Sequence, residues 1–295
     1  MSGVDGALLA HLQSGLTSVC HAWAITRPDG EVMGFTDHDR PLAFDGLTFR
    51  ADSGMTSLAL QQSTGLSVDN TETVGALSDA AISEADIEAG RYDGAEVRAW
   101  LVNWADVTGR HLLFRGSLGE LKRSGGVFHA ELRGLTDRLN TPVGRVYQKP
   151  CAAVLGDGAC GVDLEDPSFS HSLAVAQIEE NRVLRFEGFD DFDDGWFAHG
   201  VLAAQSGAAE GLREVIKRDY FEEETRVIEL WHPMRAELAP GDEITLIAGC
   251  DKRMETCRIK FHNLLNFQGF PDIPGDHWLA VQPVQSGEQG GGSRR

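Results

Sequence analysis

Basic residues are scarce in this sequence: 26 Lys and Arg stand against 45 Asp and Glu, a formal charge of −19 over 295 residues. Such a surface repels a polyanion, and the counterion release that drives most DNA binding has few cations to work through. Gripping nucleic acid is therefore disfavoured, although an acidic wall can face passing DNA without holding it. Long apolar runs are missing too, and none approaches the roughly 18 residues that a membrane-crossing helix needs. The stretch MSGVDGALLAHLQSGL has Asp5 where an export signal has basic residues, and its apolar spacing is that of an amphipathic helix, so synthesis in the cytoplasm is expected. Cysteine is sparse and odd in number, at five. In a reducing compartment a disulfide framework is a poor explanation for five thiols, which puts metal or core roles first. No Ser/His/Asp or Cys/His pairing sits in a context such as G-x-S-x-G, so nucleophilic catalysis has no support.

What is present is a composition of a globular protein, 42% hydrophobic and 24% charged, with length enough for about two domains. The fold class expected is α+β, mainly β. A short helix over residues 4–15 leads into a hairpin turning at Pro28, Asp29 and Gly30. Ser83 with Asp86 marks a capped helix. Residues 95–104 alternate as a strand, and a β-hairpin follows around Gly125 and Gly126. This first unit closes near residue 145. A second unit, 146–284, holds many short β-like runs, SLAVAQIEE (172–180) the first of them, separated by turn residues such as Glu180-Asn181 and Pro240-Gly241, as in an antiparallel β domain. The acidic, aromatic stretch FEGFDDFDDGWF (186–197) reads as a solvated loop. Residues 285–295 are Gly-rich and read as a flexible tail.

Four cysteines form two pairs. Cys151 and Cys160 lie in KPCAAVLGDGACGVDL, and Cys250 and Cys257 follow about ninety residues later in CDKRMETCRIKFHNLLNFQGFP. Four thiolates suit a tetrahedral zinc or a [4Fe-4S] cluster, but structural zinc prefers ligand pairs two to four residues apart, and a wider cluster tolerates looser spacing. Charge points the same way. A cubane with four thiolates is anionic, and Lys149, Lys252, Arg253, Arg258 and Lys260 flank these cysteines in a chain otherwise poor in cations. Pro150, Gly156, Gly158, Gly161 and Gly249 supply tight turns that can aim backbone N–H groups at sulfur.

With these motifs the sequence resembles the C-terminal region of tail-tip hub proteins of long-tailed phages, including the lambda-type minor tail protein that carries an iron–sulfur cluster. Its ITRPDGEVMGFTDHDRPL, after CHAW, is similar to the N-terminal region of the baseplate hub of gene transfer agents and related prophages. The resemblance covers nearly all of the chain apart from the middle of the second unit and the tail. It implies a homotrimeric hub at the tail tip of a phage-like particle, surrounding the DNA exit path. The hub would join the distal tail protein ring to a large central tip or fibre protein, with a cell-wall peptidase commonly in the same tip. It also implies that Cys151, Cys160, Cys250 and Cys257 are cluster ligands and that the protein is not an enzyme. Zinc or disulfides in place of the cluster, or an iron–sulfur redox enzyme, are the alternatives.

Other motifs have plainer readings. Cys20 has no partner in that pattern and reads as a small buried residue beside Trp23. Asp37-His38-Asp39 lacks further ligands at metal spacing and reads as a strand end whose carboxylates cap backbone N–H groups. GDGACG (156–161) matches G-x-G-x-x-G as a string, with neither the preceding strand nor the following helix of a nucleotide site. His232 and His277 read as packed or surface imidazoles. His262, near Cys257, is the one histidine that merits a test as a ligand.

Overall fold

The computed structural model describes residues 6–51, 70–77, 83–124, 127–134 and 144–274. The chain divides into two compact units, 1–143 and 144–295. Both are built on β-sheet, with a few short helices. Among the described residues no helix is long and apolar enough to cross a membrane. The Gly125-Gly126 turn and the tail at 285–295 lie outside the described residues.

In the first unit α1 (Gly6–Gln13) precedes β1 (Val19–Thr26) and β2 (Val32–Thr36), which pair antiparallel across the expected turn. Gly30 takes φ +92° there, a conformation that costs glycine little. Strands β3 (Leu42–Phe44), β4 (Leu47–Arg50) and β5 (Asn70–Leu77) follow. Then come α2 (Glu84–Glu88), β6 (Glu96–Asn103), β7 (Arg110–Ser124) and β8 (Val127–Gly134). Ser83 caps α2 as its sequence indicates, its hydroxyl accepting from the Asp86 N–H at 3.0 Å. The eight strands order as β3-β4-β2-β1-β6-β7-β8-β5, and β2 with β4 is a parallel pair. Strand β1 is buried on both faces. Trp23 and Ile25 enter one apolar cluster, while Cys20, Ala22 and Ala24 enter another with Phe44, Phe49 and Trp100. Cys20 is thus a core residue, but its cluster contains Trp100, and Trp23 belongs to the opposite face.

The second unit holds β9 (Ser170–Ala174), β10 (Gln177–Glu179), β11 (Val183–Glu187), β12 (Val201–Ala204), β13 (Arg213–Glu222), β14 (Thr225–Leu230) and β15 (Glu243–Ile247). They order as β10-β11-β14-β13-β12-β15-β9. The run 172–180, read from sequence as one β segment, is two strands on opposite edges of this sheet. The break comes at Val175, which is buried and held by the 240–242 turn: its N–H donates to Asp242 O at 2.8 Å, and its carbonyl accepts from Gly241 N at 2.8 Å. Two residues of chain reach no more than about 10 Å between the flanking Cα atoms, so the sheet curls until its edges nearly meet.

The acidic stretch 186–197 departs most from its sequence reading. Its aspartates face solvent, yet Phe186, Phe189 and Phe197 are buried in the core. Phe189 and Phe197 lie against Arg226, which is fully buried and bidentate to the equally buried Asp219 at 2.8 and 2.7 Å. Two further guanidinium N–H groups donate to Phe192 O and Asp193 O at 2.7 and 2.8 Å, and Asp219 accepts from Phe197 N at 2.8 Å. The rings of Phe189, Phe197 and Phe221 lie 4.9–5.1 Å from the guanidinium carbon. A buried arginine needs all of these partners, and the loop supplies them by folding inward.

Candidate metal centre

The first pair of cysteines lies on an irregular loop that Asp157 organises. Its carboxylate accepts from Val154 N at 2.8 Å, Ala159 N at 3.0 Å and Cys160 N at 2.7 Å. These bonds, led by that from Cys160, hold its pKa below the ordinary aspartate value. Gly156 takes φ +80° with the Leu164 side chain packed where a Cβ would stand, and Gly161 takes φ +68°. GDGACG therefore folds round its own aspartate, and its glycines serve the loop that presents Cys160.

The second pair begins where β15 ends. Gly249 packs so tightly that a Cβ there would lie 1.7 Å from Ala198 O, and Cys250 follows it. Lys252, at φ +66°, turns the chain into α3 (Met254–Ile259), which carries Cys257 on its buried side. His262, at φ +48°, reverses the chain into a 3₁₀ turn over Leu264–Asn266.

Hydrogen bonds stitch the two loops together. Cys151 N donates to Lys252 O at 2.8 Å, and Lys252 Nζ donates to Ala153 O at 2.7 Å. Asn263 Nδ2 donates to Cys160 O at 2.6 Å. Gln268 N donates to Cys151 Sγ at 3.4 Å, and the Cys257 thiol donates to Asn263 O at 3.2 Å. The result is one cavity lined by all four cysteines, with Ala153, Leu155, Val162 and Phe261 as apolar wall and Lys252, Arg253 and Asn266 as polar neighbours. None of the five cysteines is in a disulfide. Burial raises the pKa of Cys250 and Cys257, and for Cys257 the other three thiols add to the rise. A bound cation reverses that balance and deprotonates a coordinating thiol.

Four cysteine thiols round one cavity are a donor set that a zinc ion or a sulfur-ligated cluster would take. A zinc ion at about 2.3 Å from each sulfur would set the four sulfurs about 3.8 Å from one another. Among the described residues no group of three or more Cys, His, Asp or Glu is already spaced to hold a metal ion. The four thiols line this cavity with N–H groups near two of the sulfurs, donors that a sulfur-ligated cluster would use.

The flanking cations divide in role. Lys252 and Arg253 line the cavity, whereas Lys149 and Arg258 are exposed away from its wall. Lys260 points elsewhere: it donates to Trp196 O and, at 2.8 Å, to Gly249 O, and lies 4.4 Å from the Trp196 ring centroid. Burial lowers its pKa to about 8. His262 is exposed and is not among the cavity-lining residues. In the first unit Asp37 caps as its sequence indicates, accepting from His21 N at 2.6 Å, and His38 accepts from Arg40 N at 3.0 Å. Cys20, buried beside Thr36 and the Val102 carbonyl, has its pKa pushed up to about 11, chiefly by burial. The sequence reading missed Asn263 and Gln268. The signal for Asn263 was its amide side chain inside the second cysteine motif, whereas Gln268 donates through its backbone N–H, which its residue type does not announce.

Two family models match the chain. That described as baseplate hub protein, N-terminal attachment domain, matches residues 5–163, and that described as phage conserved hypothetical protein BR0599 matches residues 195–277. Among solved structures, a chain from the virion of a native gene transfer agent particle is similar over 98% of this chain and 99% of its own, at 52% identity and a TM-score of 0.89. No curated protein matches.

Proposed function

The chain belongs to the baseplate hub family, and from that premise we propose that it is a structural protein of a phage-like tail. It forms a homotrimeric hub at the tail tip, joining the distal tail ring to a central tip or fibre protein around the DNA exit path. The single observation that carries the cluster part of this reading is the meeting of four thiols, from loops about ninety residues apart in sequence, round one cavity. Cys151, Cys160, Cys250 and Cys257 would hold a [4Fe-4S] cluster, which when bound supplies a covalent clasp between the two loops.

The residues of the chain do the rest mechanically. Asp157 sets the first loop, Lys252 and Asn263 tie it to the second, and Lys260 fixes the second to the sheet-bearing part of the unit through Trp196 O and Gly249 O. Tying ends that far apart constrains the unfolded chain by about 4–5 kcal/mol in the loop-entropy model. That suits an assembly that must persist outside a cell. The net charge of −19 suits a passage for DNA, because an anionic wall keeps the polymer from adhering.

The test is anaerobic purification of the full chain. The reading expects about four iron atoms per chain, visible charge-transfer absorption and a solution mass of three copies. A folded, colourless, iron-free trimer overturns the cluster, zinc in its place supports the single-ion alternative, and an iron-bearing monomer overturns the trimer.

A further inference from the structure

One residue touches both halves of the cysteine site through side chain and backbone alike. Asn263 Nδ2 donates to Cys160 O at 2.6 Å and reaches Cys160 Sγ at 3.7 Å. On the other side its N–H donates to Cys257 O at 2.9 Å, and its carbonyl accepts from the Cys257 thiol at 3.2 Å. An amide can face Cys160 with either end, and a nitrogen there is selected twice. Cys160 O needs a donor, and Asn266 Nδ2 donates to Asn263 Oδ1 at 2.7 Å, occupying the oxygen end. Asn266 itself lines the cavity.

We propose that Asn263 is a positioning residue of the metal centre that aims an N–H at the Cys160 sulfur, with Asn266 locking its amide in that orientation. The proposal rests on the cluster reading above. An N–H directed at a ligand sulfur stabilises the more electron-rich, reduced state, so it raises the reduction potential of a sulfur-ligated cluster. A purely structural asparagine would change stability and leave the potential where it was.

The experiment is a spectroelectrochemical titration of the full chain loaded with iron and sulfide under anaerobic conditions. Asn263→Leu is expected to move the midpoint potential to more negative values, and Asn266→Ala to move it the same way by less, since the Cys160 carbonyl alone then selects the nitrogen. Asn263→Leu holding iron at the wild-type potential overturns the proposal. If Asn263→Leu does not retain iron, Asn266→Ala decides: a negative shift supports the relay and an unchanged potential overturns it. A wild-type chain that takes up no iron fails earlier and differently, because it removes the cluster reading before any variant is compared.

Discussion

Two regions of the second unit are held together by opposite means. Round Arg226, every polar demand is met from within: one carboxylate, two loop carbonyls and three aromatic faces surround one guanidinium. Round the four cysteines the loops are joined by a handful of backbone and amide hydrogen bonds, and the thiols face a shared cavity. The first region carries its own closing group in the sequence, while in the second, on the proposed reading, a cluster would supply it. The difference shows why a stretch of aspartates and aromatics can become core, and why a loop rich in glycine and cysteine can keep a defined shape with little regular structure.

The comparison breaks most severely at the cysteines. Cys257→Ser is expected to lose iron and about 4–5 kcal/mol of stability, the loop-closure contribution, as read by iron analysis and denaturant unfolding, while the Arg226 region keeps its near-ultraviolet aromatic signal. Arg226→Ala should cost about 3–5 kcal/mol, because it leaves Asp219 buried without its partner; the same unfolding assay checks it, with iron retained. Gly249→Ala tests the seam between the regions. Its new Cβ meets backbone at Ala198 and Gly200, and overpacking of this kind costs about 1–3 kcal/mol, here with loss from both regions in hydrogen exchange.

The smallest effect sharpens the comparison by pH. The Asp157 pKa is depressed below 3.8 by the N–H groups of its own loop, so its carboxylate contributes stability that is present above that pH and lost as pH falls through the lower folded value. Asp157→Asn should flatten that part of the acid limb by lowering neutral stability toward the wild type's acid value, because the amide nitrogen cannot accept from Val154 N as the carboxylate does. Unfolding midpoints of wild type and variant, compared across the acid limb, check it.

Much of the architecture was legible locally. The Pro28-Asp29-Gly30 turn, the Ser83 cap and the strand at 96–103 each rest on short-range chemistry, and each is where its residues indicated. Glu180 and Asn181 both take positive φ between β10 and β11, as a tight hairpin turn asks of them. The stretch 186–197 was misread because charge and aromaticity alternate within it: counting aspartates points to solvent, and the interior that takes the phenylalanines is built by distant strands, with Arg226 some thirty residues away. Strands β9 and β10 were merged because nothing in their own residues reports that the 240–242 turn captures Val175.

The sequence by itself determined the four thiols, their grouping into two pairs, the turn residues that present them and the acidic balance of the whole chain. Tertiary structure alone decided that the two pairs share one cavity, that Lys252 lines it while Lys260 turns toward Trp196, and that Asn263 rather than His262 reaches the sulfur. The physical reason is range: turns and caps are settled by neighbours a few residues apart, whereas a cavity wall is settled by which distant loops hydrogen-bond to each other, and a motif carries no record of its partner's position.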